Sequence, residues 1–356
     1  MEWQDSVFRK KGNLVGLDIG SHSVKVVQLK SRDTGPELLN FGLAPLPTEL
    51  LSEGRTIKPA AVAGVVQSLV RHLAIKEKSV AASVSGHEVI SKKVDVPVMT
   101  DQELENRMQF ELGHYIPYSI NEVDVDYQIL DAAKDRPNYM EVLLVAAKKE
   151  TVNEHVNLIK LCDLHPMVID VDYYALSNAF EATYGFEEKN VALIDLGASK
   201  AVMNIVCRGL PVFTRVISIG GRQITERIED HFGISLQEAE RTKLGSITPG
   251  LPVDELEEIF VTVVRNWVSE CRKSINLFHT NFPDLSIDQI FLSGGSCRIP
   301  GLDRVFQENL DAEVALFNPL SRLEYDSQVF DPGYIDQVGA QMAISLGLAM
   351  RKANEK

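Results

Sequence analysis

Apolar and polar positions alternate along this chain in blocks that can be read as elements. Leu14 to Asp18 is an apolar run closing on an acid, Gly20-Ser21-His22-Ser23 is a polar turn, and Val24 to Leu29 is apolar again. This predicts a β-hairpin with a Gly/Ser-rich tip. Leu38 to Leu43 predicts a third strand, and Ala44 to Pro59, with three prolines, a loop. Ala60 to Leu73 has helical spacing, and Val80 to Val84 reads as a buried strand.

The middle of the chain changes character. Lys92 to Val96 alternates as a strand. Thr100, with Glu103 in capping-box position, opens a helix to Tyr115 that Pro117 stops. Val123 to Leu130 and Glu141 to Ala147 predict two antiparallel strands around a polar turn at 134–138, and Thr151 to Leu161 a helix. We read about 88–168 as a small α+β unit inserted into a first lobe spanning 1–185. From Val191 a second set begins: a strand to Asp195, a Gly-Ala-Ser turn, and strands Ala201 to Val206 and Val212 to Ile219. A long helix from Asp254 to His279, a short strand Ile290 to Leu292 and a helix Ile335 to Met350 complete a second lobe, 186–356.

Two stretches repeat each other. Val15-Gly-Leu-Asp-Ile-Gly-Ser-His-Ser and Ala192-Leu-Ile-Asp-Leu-Gly-Ala-Ser-Lys both read strand, Asp-apolar-Gly, small turn, strand. Asp18 and Asp195 are 177 residues apart, close to half of the 356-residue chain, which implies two related lobes rather than a solenoid. A strand ending in Asp sets a carboxylate at a sheet edge, where it can hold Mg²⁺ directly or through water. The glycine after it, Gly20 or Gly197, lets backbone approach a phosphate with no Cβ in the way. The turns then offer N–H groups and the hydroxyls of Ser21 and Ser23. Lys25 is placed to reach a β- or γ-phosphate as a point charge.

Gly220-Gly221 and Gly294-Gly295 each follow a strand and precede a helix. Such pairs either let a flat ligand lie against a helix N-terminus or pack strand tightly on helix. Glu240 and Lys243 share a helical face, as a solvated ion pair or as part of a site. His22 is read as a solvated turn residue or a donor to phosphate rather than a catalyst, and His87, His114 and His165 lack metal-ligand spacing.

Composition narrows the class without naming it. Apolar residues make up 45% and charged residues 24%, as expected for a globular chain with room for two cores. The formal charge of −14 argues against nucleic acid or bare anionic membrane as general partners. Met1 to Lys11 lacks the apolar core of a signal peptide, and no segment approaches the roughly 20 apolar residues of a membrane span. Cys162, Cys207, Cys271 and Cys297 form no CxxC pair, so we expect reduced thiols, a cytosolic protein and no direct membrane insertion.

The paired hairpins, glycine pairs and intervening helices resemble the actin, Hsp70 and sugar-kinase superfamily. The resemblance implies a bilobal α/β actin-like ATPase fold of two RNase H-like lobes. The inserted unit resembles that of FtsA and of the PilM family of type IV pilus assembly proteins. Glu111-Leu-Gly-His-Tyr-Ile-Pro-Tyr118, Asp126-Tyr127, Ile219-Gly-Gly221 and Phe291-Leu-Ser-Gly-Gly-Ser296 are similar to PilM sequences. The resemblance implies ATP or ADP with Mg²⁺ as ligand. Asp18, Gly20, Ser21, Ser23 and Lys25 would form one phosphate loop, and Asp195, Gly197, Ala198 and Ser199 the other. Asp18 and Asp195 would hold the metal through water. Gly220, Gly221, Gly294, Gly295 and Ser296 would border the nucleoside, with Glu240 and Lys243 near ribose and adenine. It also implies, as partner, the N-terminal cytoplasmic peptide of the inner-membrane protein PilN, bound beside the inserted unit and tying the chain to that membrane's inner face. Other platform proteins, the pilus motor ATPases and a homo-oligomer or ring are further expected contacts.

Turnover is doubtful on the same comparison. Asp170 and Asp172 stand where family ATPases usually offer Glu or Gln to orient water, and Val202 stands where actin has a histidine. Asp172 is the catalytic candidate, with a helix N-cap as its plainer role. These departures favour ATP as a structural or switching ligand. A filament-forming FtsA-like protein is the rival reading. It is disfavoured because Leu348 to Lys356 lacks a bulky apolar stripe. A sugar kinase would need a substrate-side Asp that we do not identify.

Overall fold

Continuous apolar runs such as Asn190-Val-Ala-Leu-Ile-Asp-Leu196 form strands covered on both faces, and two such covered sheets dominate the molecule. The computed structural model describes residues 14–32, 35–52, 55–86, 89–132, 136–185, 189–246 and 248–353. The expectations for Met1 to Lys11, for His87, for part of the turn at 134–138 and for the last three residues lie outside them.

In lobe one the chain forms β1 (Val15–Ile19), β2 (Ser23–Arg32), β3 (Gly35–Pro45), a small hairpin of β4 (Leu51–Ser52) and β5 (Arg55–Thr56), α1 (Pro59–His72) and β6 (Ser79–Val84). The inserted unit contributes β7 (Val89–Pro97), α2 (Asp101–Tyr115), β8 (Val123–Ala132) and β9 (Tyr139–Lys148). Then come α3 (Lys149–Leu161), β10 (His165–Val171) and α4 (Asp172–Tyr184). Lobe two has β11 (Asn190–Leu196), β12 (Ala201–Cys207), β13 (Leu210–Ile217), α5 (Arg222–Phe232), α6 (Leu236–Lys243), α7 (Val253–Asn281), β14 (Gln289–Ser293), α8 (Leu302–Asn309), β15 (Glu313–Leu316), α9 (Pro332–Val338) and α10 (Ala343–Ala349).

The sheet orders are β10-β6-β1-β2-β3 and β15-β14-β11-β12-β13. In both, the first hairpin and third strand pair antiparallel and the two later strands add in parallel, so the sequence repeat is a repeat of topology. The insert is a three-stranded antiparallel sheet, β7-β9-β8, packed with α2 through Val94, Val96, Leu104, Met108, Val142 and Leu144. The Thr100 and Glu103 capping pair forms as expected.

The structure corrects four boundaries. Residues 149–168, expected in the insert, belong elsewhere: Leu158, Ile159 and Leu164 sit in the lobe-one core with Val62 and Val66 of α1. The last helix was expected in lobe two. Yet α10 lies on β1 and α4, where Ile344 and Leu348 bury against Leu14, Ala81 and Ala175. The single helix expected over Ile335 to Met350 is broken by a 3₁₀ turn at Gly339–Met342. The loop expected over Ala44 to Pro59 holds the end of β3, a 3₁₀ turn and the β4–β5 hairpin. At the α10 crossing, a Cβ on Gly16 would lie 1.9 Å from the Ser345 carbonyl, and one on Gly347 1.7 Å from that of Ala175. Only glycine permits so close a helix approach.

Candidate functional site

The carboxyl-terminal ends of β1 and β11 face each other across the lobes. Between them lies a cavity of about 120 Å³ lined by Asp18, Ser21, Ser23 and Lys25 from lobe one and Asp195, Gly197 and Ala198 from lobe two. Glu240, Lys243, Gly294, Gly295 and Ser296 complete the predicted set that lines it.

The two hairpin tips are built alike. The Gly20 N–H donates to the Ser23 carbonyl at 3.1 Å, and the Gly197 N–H to the Lys200 carbonyl at 3.0 Å. They also touch: Ser199 Oγ donates to Ser21 Oγ at 2.8 Å, and Arg222 donates to the Ser21 carbonyl at 2.8 Å. In register, Asp18 faces Lys25 and Asp195 faces Val202. Lys25 Nζ lies 2.9 Å from Asp18, so the cation expected to meet phosphate holds the first aspartate in this state. Burial acts to lower the Lys25 pKa, but Asp18, Asp195 and Asp172 together raise it above the ordinary value. Burial pushes Asp195 up to about 6, aided by Asp18 and Asp172 and opposed by Lys25 and by Ser293 Oγ, which donates to it at 3.0 Å.

On the far wall, Lys243 Nζ donates to Glu240 at 2.7 Å, to Thr225 Oγ1 at 3.1 Å and to the Gly221 carbonyl at 3.3 Å. Lys243 is buried and Glu240 half-buried, so the pair is braced rather than freely solvated. Burial lowers the Lys243 pKa. It works against ionisation of Glu240 too, yet Lys243 and Thr225 hold that carboxyl below its usual range. His22 lies 4.0 Å from Glu240, and its pKa is lowered, chiefly by desolvation and against the pull of Glu240.

Several predicted residues stand behind the cavity wall instead of lining it. Gly20 and Ser199 shape the tips. A Cβ on Gly220 would lie 2.4 Å from the Ala198 carbonyl, so this glycine serves tight packing, while Gly221 backs Ser296 and Lys243. Asp172 lies outside the lining and is buried. It takes a 2.6 Å hydrogen bond from Ser83 Oγ and lies 3.4 Å from Lys200 Nζ. It is also no N-cap: Val171 holds that position and Asp172 is the first helical residue. Sequence reasoning missed Leu244, Arg298 and Gln341, which also line the cavity. Gln341 comes from the unforeseen 3₁₀ turn, and its buried Nε2 has no hydrogen-bond partner.

A family model described as type IV pilus assembly protein PilM matches residues 16–353. The chain belongs to the PilM family. A solved structure titled as a PilM-PilN type IV pilus biogenesis complex superposes with a TM-score of 0.85 at 25% identity, covering 98% of this chain and 100% of that one. The cell division protein FtsA of Bacillus subtilis is 25% identical across 93% of this chain and 74% of its own length. The ethanolamine utilization protein EutJ from Carboxydothermus hydrogenoformans shares the fold, with a TM-score of 0.57 at 12% identity over 96% of this chain and 90% of that one. The bilobal actin-like fold is thus established for this PilM-family chain, and proteins of that fold bind nucleotide with Mg²⁺.

Its residues fit such a ligand. Two acids, a lysine, two closed glycine turns and an unpartnered amide converge on one cleft. Among the described residues no three His, Cys, Asp or Glu side chains form a metal cage. Mg²⁺ would therefore draw further ligands from water and phosphate, as is usual for this ion. Asp18 and Asp195 would supply the protein's share, and the bound metal would neutralise phosphate charge. Among the described residues no helix is long and apolar enough to cross a membrane.

Proposed function

We propose that this protein is a nucleotide-binding adaptor of the type IV pilus machinery. On this reading ATP or ADP with Mg²⁺ occupies the cleft between Asp18 and Asp195, and the protein binds the N-terminal cytoplasmic peptide of PilN. The protein then works in the cytoplasm, held at the inner membrane through that partner. The full-length likeness to the PilM of a PilM-PilN complex carries the reading. Contacts with other platform proteins or motor ATPases, and a ring of copies, remain compatible with it.

Asp172 is better suited to structure than to hydrolysis. Its carboxylate is engaged by Ser83 and Lys200, and Val202 beside the second loop is buried and has no proton to give or take. Nucleotide therefore acts as a clamp on the lobes. The test is calorimetry with a synthetic PilN N-terminal peptide, together with mass spectrometry of nucleotide retained by the purified protein. Wild-type protein should bind both. Asp18→Ala should retain at most about a tenth of the nucleotide, since a lost metal contact and an unpaired Lys25 together cost more than about 1.4 kcal/mol. Full retention by that variant, or no peptide binding by wild type, overturns the proposal.

A further inference from the structure

Three consecutive residues open α4, and each reaches a different part of the molecule. Asp172 takes a hydrogen bond from Ser83 on β6 and pairs with Lys200, which closes the lobe-two turn whose Gly197 and Ala198 line the cleft. Tyr173 is buried, and its carbonyl accepts from Asn204 Nδ2 on β12 at 2.8 Å. Tyr174 meets the insert: its hydroxyl and Ser91 Oγ on β7 are 2.5 Å apart. The two tyrosine rings lie edge to face with centroids 4.7 Å apart, so they shift together. Val89 and Val145 of the insert pack around the same spot with Val171, Tyr173 and Val202. One helical turn thus joins both lobes and the insert.

This junction has two features of a two-position element. The buried Tyr173 hydroxyl has the Ser91 and Thr214 hydroxyls as neighbours, and Ser91 Oγ is at the same time 2.5 Å from the Tyr174 hydroxyl, so Ser91 is shared between the two tyrosines. A hydroxyl shared by two tyrosines can pass from one to the other by rotating its own side chain, so the two arrangements differ by the exchange of one neutral hydrogen bond, about 1 kcal/mol. The Asp172–Lys200 pair is partly exposed on the lysine side, and such pairs contribute only about 1 kcal/mol or less. A polyanion in the cleft repels Asp172 and attracts Lys200, which is enough to shift a contact that weak.

We infer that the first turn of α4 is a positioning relay: Lys200 and Asp172 register the charge in the cleft, and Tyr174 passes the change through Ser91 to the inserted unit. The inference rests on the nucleotide reading of the cleft given above, and it names how that site would control the insert flanking the partner groove.

The measurement is hydrogen–deuterium exchange on the full-length protein, following the amides of β7 without nucleotide and with saturating MgATP, alongside a direct fluorescence titration of nucleotide affinity. In wild type, MgATP should change β7 exchange at least about threefold. Tyr174→Phe keeps the ring and removes only the hydroxyl. It should leave nucleotide affinity within about twofold while the β7 response falls to less than half. Ser91→Ala should do the same, and Ser91→Thr, which restores a hydroxyl, should respond as wild type does. A wild-type response that survives in both Tyr174→Phe and Ser91→Ala overturns the relay while leaving the nucleotide reading intact, as does bound nucleotide with no β7 response in wild type. Absence of nucleotide binding takes down both. The PilN peptide is not used here, so a failure of the partner reading shows separately in calorimetry.

Discussion

Replacing Asp195 by Asn should stabilise the empty protein and disable the loaded one. Asp195 is 9% exposed, and burial beside Asp18 and Asp172 carries its carboxyl from the ordinary 3.8 up to about 6. The raised value means that the folded protein prefers the neutral acid. That preference adds stability below the ordinary pKa, and the stability is lost as pH rises through about 6. Above neutrality Asp195 is ionised in both folded and unfolded chains, and the folded chain bears the penalty. At about 1.4 kcal/mol per pH unit, the interval between 3.8 and about 6 corresponds to about 3 kcal/mol. Asn has the same shape and no charge, and its carbonyl can still accept from Ser293. In nucleotide-free protein at pH 8, Asp195→Asn should therefore melt on the order of 5 °C higher than wild type, by scanning calorimetry. The gap should shrink as pH falls through about 6. Adding MgATP should stabilise wild type and leave the variant unmoved. If the stripped variant melts at or below the wild-type temperature at pH 8, the carboxylate is not under burial strain and the reasoning fails.

Two glycines give independent checks on packing. Gly294 has φ of 90°, and a Cβ there would lie 2.5 Å from the Leu196 carbonyl, so Gly294→Ala should cost roughly 2–4 kcal/mol in urea unfolding and distort the floor of the cleft. Gly347→Ala should separate α10 from α4 and lower stability by roughly 1–3 kcal/mol, read from the urea midpoint; an unchanged midpoint would show that the crossing is looser than the 1.7 Å approach implies.

The repeat was legible because its parts are local: an apolar strand, an acid, a glycine and a small turn recur within a few residues, and the strand pairing reproduces that recurrence in space. The middle unit was legible in kind because its alternating strands and capped helix are also local signals. Its far boundary was not, because α3 announces itself as a helix whichever core receives it; only contact with Val62 and Val66 assigns it to lobe one. β10 and β15 were missed for a related reason. Each joins its sheet at an edge by parallel pairing, β10 to β6 across the whole insert and β15 to β14 across α8, so no adjacent hairpin turn marks it. In the site, the lining residues carried by the hairpins could be read, whereas Arg298 and Gln341 arrive by tertiary placement. Gly339 inside the expected last helix was the available hint, since a mid-helix glycine weakens a continuous-helix reading. A Cβ on it would meet the Asn318 side chain at 1.9 Å, which is where the helix turns.

The two acids of the repeat are unequally placed. Across its hairpin Asp18 looks onto Lys25, whereas Asp195 looks onto Val202. One half carries its own antidote to negative charge, and the other was given an aliphatic neighbour in the same seat. The second half therefore borrows its counter-charge from Lys25, which acts on Asp195 from the other lobe. A protein divided this way feels occupancy mainly on one side, and that side is the one whose turn ends in Lys200.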